Sequence, residues 1–296
     1  MLKLSLLKLL IRLVSFRVKA SNYLKTRKRI EGYAALRIRV PRGYHHEEVS
    51  AGGVPGEWLW RDGLEERRTL LYLHGGGYVF CSPATHRDLV RRISDASGSR
   101  VLSLDYRLAP EHPHPAALED ALTAYRWLLK SGIKPSRLGV LGDSAGGGLT
   151  LALLQTLRDR NIPLPACAVC LSPWTDLYAT GNSIRGMAGR DPLLRPHQIA
   201  GYARLYAREE ELQKPAVSPL YGDFSQLPPL LLQAGSEEIL LDDSRRAARK
   251  AETAGTPVRL EIWPGMIHVF QALAHYIPEG KTAIARMGAF IKENIP

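Results

Sequence analysis

Cysteine is scarce in this sequence: three residues in 296, at positions 81, 167 and 170. So few rule out a disulfide framework. Cys167 and Cys170, three apart in the apolar run Ala166 to Leu171, are expected on opposite faces of a strand, which argues against a redox CxxC or a zinc site. Nothing demands an oxidising compartment, so a reducing cytoplasm is the expected location. Acidic residues are missing from residues 1 to 30, which hold nine of the 40 Lys and Arg. The formal charge of +11 is therefore concentrated at the N-terminus, leaving 31 basic against 29 acidic residues for the rest. A nearly neutral body without any nucleic-acid module signature excludes a binder of DNA or RNA backbones.

Long apolar runs are also lacking. Lys3, Lys8, Arg12 and Arg17 break up the opening twenty residues too often for a membrane-spanning helix, and the apolar core and small-residue cleavage site of a signal peptide are absent. Leu2, Leu6, Leu9, Leu13 and Phe16 instead recur at helical spacing, with basic residues mostly on the other side. Such a helix could touch an anionic membrane surface through residues 1–30, or fold onto an apolar cleft of the protein itself. The second is expected, because one amphipathic helix binds membranes only modestly.

What is present is a globular composition, 45% hydrophobic and 23% charged, in which short apolar runs alternate with helical patterns. That alternation predicts an α/β protein with a mostly parallel sheet and helices on both faces. Strands are expected at Ala35 to Val40, Glu57 to Arg61, Thr69 to Leu73, Arg100 to Leu104, Leu138 to Leu141, Ala166 to Leu171, Leu230 to Ala234 and Val258 to Ile262. The first two are read as an antiparallel pair. From about residue 176 to 215 the pattern loosens into Gly, Asn, Arg and Pro clusters with a short helix, which marks an insertion. The expected organisation is N-terminal cap helices over 1–45 and a catalytic domain over 46–296, with 177–215 inserted as a further part of the cap.

Three local patterns carry chemistry. Gly142 to Gly146 spell GxSxG between a predicted strand and helix, where a sharp turn would raise Ser144 as a nucleophile and the glycines would let the turn close. The pentapeptide is weak alone and gains force from that context. His74-Gly75-Gly76-Gly77 follows the third strand, where unobstructed backbone amides could face the serine, so the oxyanion hole is assigned to Gly76, Gly77 and Ala145. No phosphate-loop or dinucleotide fingerprint competes for these glycines. A serine hydroxyl needs a base, and His268, just beyond the last predicted strand, is the best placed of nine histidines. An acid should follow the preceding strand, and Ala234 to Asp243 offers Glu237, Glu238, Asp242 and Asp243. The two aspartates suit the start of the next helix.

Taken together, HGGGYVFCSP from His74, DYRLAPEHPHPAALED from Asp105, GDSAGG from Gly142, SPWTDL from Ser172 and IHVF from Ile267 resemble the bacterial hormone-sensitive-lipase-like esterases. The resemblance implies an α/β-hydrolase fold with an eight-stranded, mostly parallel sheet and a helical cap. It also implies no cofactor, no metal, a homodimer, and hydrolysis of short- to medium-chain acyl esters through an acyl-enzyme. Many members carry DPLxD at the acid; the matching spacing here reads Glu238-Ile239-Leu240-Leu241-Asp242 and assigns the role to Glu238, with Glu237 in reserve. Tyr78, Met187, Leu194, Ile267, Val269 and Phe270 are expected to wall the substrate pocket. An amidase would use the same groups, whereas a small-ligand receptor on this scaffold would lack the histidine.

Overall fold

The computed structural model describes residues 2–15, 22–37, 40–64 and 68–296. Two helices open the chain, α1 (Leu2–Ser15) and α2 (Tyr23–Arg37), followed by the strands β1 (Tyr44–Ala51), β2 (Val54–Arg61) and β3 (Thr69–Leu73). Next come α3 (Pro83–Ser97), β4 (Arg100–Leu104), α4 (Ala116–Lys130), β5 (Leu138–Asp143), α5 (Ala145–Asp159) and β6 (Cys167–Leu171). The short α6 (Ser183–Gly186) and α7 (Pro196–Tyr206) precede β7 (Leu230–Gly235), α8 (Leu241–Thr253), β8 (Val258–Trp263) and α9 (Pro278–Asn294).

The eight strands form one sheet in the order β1-β2-β4-β3-β5-β6-β7-β8. β2 is antiparallel to both β1 and β4, and every pairing from β4 to β8 is parallel. Strands covered on both faces need no alternation, which is why TLLYL and LGVLGD are buried throughout. One face packs against Leu89, Val90 and Ile93 of α3 and Ile284, Met287 and Phe290 of α9. The other packs against α4 and α5, and against Ala247, Ala248 and Ala251 of α8. Each fully buried leucine of the sheet stabilises the fold by roughly 2 kcal/mol. Cys167 and Cys170 fall in separate clusters on opposite faces, and all three thiols are free.

Local chemistry sets the ends of α3. Ser82 is its extended N-cap with Pro83 following, and Gly98 closes it at φ 63°. The expected strand Ala35 to Val40 is not formed: α2 runs through Arg37, residues 38 and 39 lie outside the described residues, and the first strand is β1. β1 carries no apolar strand signature because it is an edge strand, YHHEEVSA, whose residues except Ala51 are exposed or only partly buried. Strand order reverses at β3, which has β4 on one side and β5 on the other. Such a switch opens a crevice at the carboxyl ends of the strands. Between β6 and β7 the described chain forms α6, α7 and 3-10 turns without strand structure. Among the described residues, no helix is long and apolar enough to cross a membrane.

Candidate active site

Ser144 sits where β5 ends and α5 begins, at φ 53° and ψ −120°. A non-glycine residue with that backbone is strained by roughly 1–3 kcal/mol, and the turn closes because its neighbours are small. A Cβ on Gly146 would run into the Leu73 and His74 carbonyls. The Ser144 amide donates to the Leu171 carbonyl at 2.8 Å, and the Ser144 carbonyl accepts from Trp174 at 2.8 Å. The serine corner is thereby tied to β6 and the segment after it.

His268 Nε2 lies 2.9 Å from Ser144 Oγ. The two are 124 residues apart in sequence and meet because β8 feeds its following loop back across the sheet ends. Behind the ring, Nδ1 is 3.6 Å from Glu238 Oε1. That is longer than a hydrogen bond, and neither atom has a hydrogen-bond partner. The two groups are close without being hydrogen-bonded, and other contacts orient them. Glu238 is wholly buried and His268 is 4% exposed. Burial works to lower the His268 pKa, but the Glu238 carboxylate, with Asp191 and Asp143 farther off, outweighs it and raises the pKa above the ordinary histidine value. Glu237, the reserve acid, turns away from the imidazole and pairs with Lys8 of α1 at 2.7 Å. Asp242 and Asp243 occupy the first turn of α8.

Three supports of this arrangement went unnoticed in the sequence. Ser172 Oγ donates to Glu238 Oε2 at 2.8 Å and accepts the Val269 amide at 3.0 Å, while the Gly235 amide donates to the same Oε2 at 2.8 Å. Asp191, fully buried, accepts the amides of Leu193 (2.8 Å) and Leu194 (3.0 Å) on Oδ1 and of Ile239 (2.9 Å) on Oδ2. Asp143, beside the serine, accepts the Tyr72 hydroxyl at 2.6 Å and the Gly75 amide at 2.9 Å, with His86 3.4 Å away. Burial pushes the Asp143 carboxyl up, but the facing His86 and the Tyr72 hydroxyl outweigh it and hold the pKa down. Apart from the local bonds of Gly235 to Glu238 and of Leu193 and Leu194 to Asp191, these contacts join residues 48 to 97 apart in sequence, so only the strand order could have revealed them.

The glycine loop follows β3, directly beside β5. Gly76 takes φ 117°, and a Cβ there would strike the Phe80 carbonyl, so the loop closes on itself only without a side chain at this position. No backbone carbonyl outside the helices and strands accepts from the amides of Gly76, Gly77 or Ala145 among the described residues. Ala145 opens α5, whose amino end adds positive dipole character. His74 is stacked on Tyr106 at 4.3 Å, and burial together with nearby His86 lowers its pKa to about 3, so its imidazole is neutral.

Ser144, His268, Gly76 and Gly77 line a cavity of about 620 Å³. Leu194, Ile267 and Val269 line it, and Leu10, Ile11 and Ile30 from α1 and α2 add to the wall. Tyr78, Met187 and Phe270 do not line it. Tyr78 is turned into the core and stacked on Tyr206 at 3.8 Å, Phe270 is buried with Met266 and Ile267, and Met187 packs against the main core. Adjacency to a motif does not fix which way a side chain turns.

A strained serine at the end of a central parallel strand, within hydrogen-bond reach of an imidazole on the wall of an apolar cavity, defines a serine hydrolase of the α/β-hydrolase fold. Residues 70–272 match the family described as alpha/beta hydrolase fold, and the chain belongs to that family as a hormone-sensitive-lipase-like carboxylic ester hydrolase. It is 47% identical over 255 residues to an acetyl-hydrolase of Streptomyces hygroscopicus, covering 86% of this chain and 84% of the relative. An esterase of Acinetobacter venetianus is 36% identical over 243 residues, covering 82% and 80% of the two chains. The crystal structure of an esterase from the bacterial hormone-sensitive lipase (HSL) family superposes with a TM-score of 0.95 at 44% identity, covering 100% of this chain and 99% of that one.

Proposed function

We propose that the chain hydrolyses esters of short- to medium-length acyl chains through Ser144, His268 and Glu238, by way of an acyl-enzyme. The observation that carries this reading is the 2.9 Å approach of His268 Nε2 to Ser144 Oγ on the wall of the cavity. His268 Nε2 takes the serine proton as Oγ bonds to the ester carbonyl carbon, and the carbonyl oxygen becomes an oxyanion facing the amides of Gly76, Gly77 and Ala145. The imidazolium, stabilised by Glu238, passes that proton to the leaving alcohol as the ester C–O bond breaks. Water then gives a proton to His268 and its oxygen to the acyl carbon, and collapse of the second intermediate returns the proton to Ser144 and releases the acid.

The size of the cavity and its apolar walls support a short to medium acyl chain, with α1, α2 and residues 177–215 acting as a cap over it. A series of p-nitrophenyl esters from acetate to palmitate tests the proposal. Turnover should peak at butyrate to octanoate, and a maximum at palmitate would overturn the chain-length assignment. A matched anilide should turn over far more slowly than its ester.

A further inference from the structure

Helix α1 has two apolar faces, and the sequence pattern singled out the one that does not dock. Leu7 and Ile11, one turn apart, pack against the cluster of Met266, Ile267 and Phe270 around the His268 loop. Lys8 fastens the same side, its ammonium 2.7 Å from Glu237 and 2.8 Å from the Gly265 carbonyl. Leu6, Leu9 and Leu13 fall in a sector roughly 60° wide on the opposite side and are 58%, 54% and 60% exposed. Phe16, expected on the same stripe, lies outside the described residues. Helix α2 is also tied to the body while exposing apolar side chains, which spread over roughly half its circumference. Arg27 binds it to the body through the Val79 and Ala109 carbonyls and Glu111, while Leu24, Tyr33 and Leu36 are more than half exposed. A shallow groove on α2 is lined by Leu24, Lys25, Lys28 and Arg29.

Seven of the ten large apolar side chains exposed among the described residues belong to these two helices, a clustering that marks an interaction surface. Charge selects the partner. The first 30 residues carry nine basic and no acidic groups, so a second copy would meet like charge with like charge. A surface that accepts leucines and also offers dense negative charge is an anionic lipid layer.

We propose that α1 and α2 form a docking surface for an anionic lipid bilayer. Leu6, Leu9 and Leu13 enter the boundary between headgroups and acyl chains, and Lys25, Lys28 and Arg29 meet lipid phosphates. Leu10, Ile11 and Ile30 of the same helices line the cavity, so docking brings the cavity wall against the lipid. Acyl esters dissolved in the bilayer then reach Ser144 without crossing bulk water. That last consequence rests on the ester-hydrolase proposal; the docking itself does not.

The test is sedimentation of the full chain with vesicles of phosphatidylcholine alone or mixed with phosphatidylglycerol. Association with the mixed vesicles, loss of it in added salt, and none with the neutral ones is the expected result. Replacing Lys25, Lys28 and Arg29 by Gln should weaken binding about a hundredfold, since each basic group near an anionic surface is worth roughly fivefold. Leu6→Ser with Leu9→Ser and Leu13→Ser should abolish association while melting temperature and turnover of soluble p-nitrophenyl butyrate hold at the parent values. If the leucine variant misfolds, the Gln variant carries the test. Failure of the parent chain to sediment with mixed vesicles, or equal sedimentation with neutral ones, would overturn the proposal. So would a leucine variant whose only change is a smaller assembly in gel filtration, which would assign the face to a second copy. An inactive parent chain that still sediments would count against the hydrolase proposal alone.

Discussion

Ser172 holds the Glu238 carboxylate and the His268 loop with a single oxygen, donating to Oε2 at 2.8 Å while accepting the Val269 amide at 3.0 Å. Glu238 and His268 are 3.6 Å apart, so their alignment depends on this third group. Ser172→Ala should lower kcat about ten- to a hundredfold, as expected for losing a hydrogen bond to a charged group. KM should be unchanged, because the hydroxyl does not reach the cavity lining. Steady-state kinetics on p-nitrophenyl butyrate checks both, and an unchanged kcat would show that Glu238 keeps its place unaided.

Ser144→Ala should cut turnover by about 10⁴-fold or more with the fold intact by circular dichroism. Glu238→Gln should cost about 10³- to 10⁴-fold, since the neutral amide cannot stabilise the imidazolium. Glu237→Gln loses only the link to Lys8 and should stay within about twofold of the parent, given how little a part-exposed ion pair contributes. Equal losses at 237 and 238 would remove Glu238 from its assigned role.

The pH profile follows from His268. Its imidazole must be neutral to accept the serine proton, and Glu238 outweighs burial to raise its pKa. The acid limb of kcat/KM should therefore have its midpoint above the ordinary histidine value of about 6.5, with activity falling as pH drops through it. In Glu238→Gln the leading raising influence is gone, so the midpoint of the residual activity should move down. A midpoint that stays put would detach this limb from the pair.

Asp191→Ala should lower stability by about 2 kcal/mol, because it strands the buried amide of Ile239 and the part-buried amides of Leu193 and Leu194. Urea unfolding measures the loss. The same change frees Leu194 on the cavity wall and Ile239 beside Glu238, so KM should rise along with the fall in kcat. Asp191→Asn keeps one acceptor oxygen and should lose less on both counts.

Much of this was legible in the sequence because it depends on short-range chemistry. A glycine-flanked serine between an apolar run and an Ala- and Leu-rich helix has few places to be, and seven of the eight strands were bracketed by turn residues. What could not be read depends on the third dimension. β1 is an edge strand without an apolar signature. Ser172 and Asp191 become meaningful only once β6 lies beside β7. Helical periodicity found the leucine stripe of α1 without showing that Leu7 and Ile11 would be the ones to dock.

The strand order also bears on when activity can first arise during translation. Ser144 and the glycine loop sit on neighbouring central strands, β5 and β3, whereas His268 arrives on the loop after β8, the last strand made and an outer edge of the sheet. A nascent chain still short of β8 carries the serine but not yet the imidazole proposed to take its proton. On the proposed mechanism, ester cleavage waits for a nearly finished polypeptide.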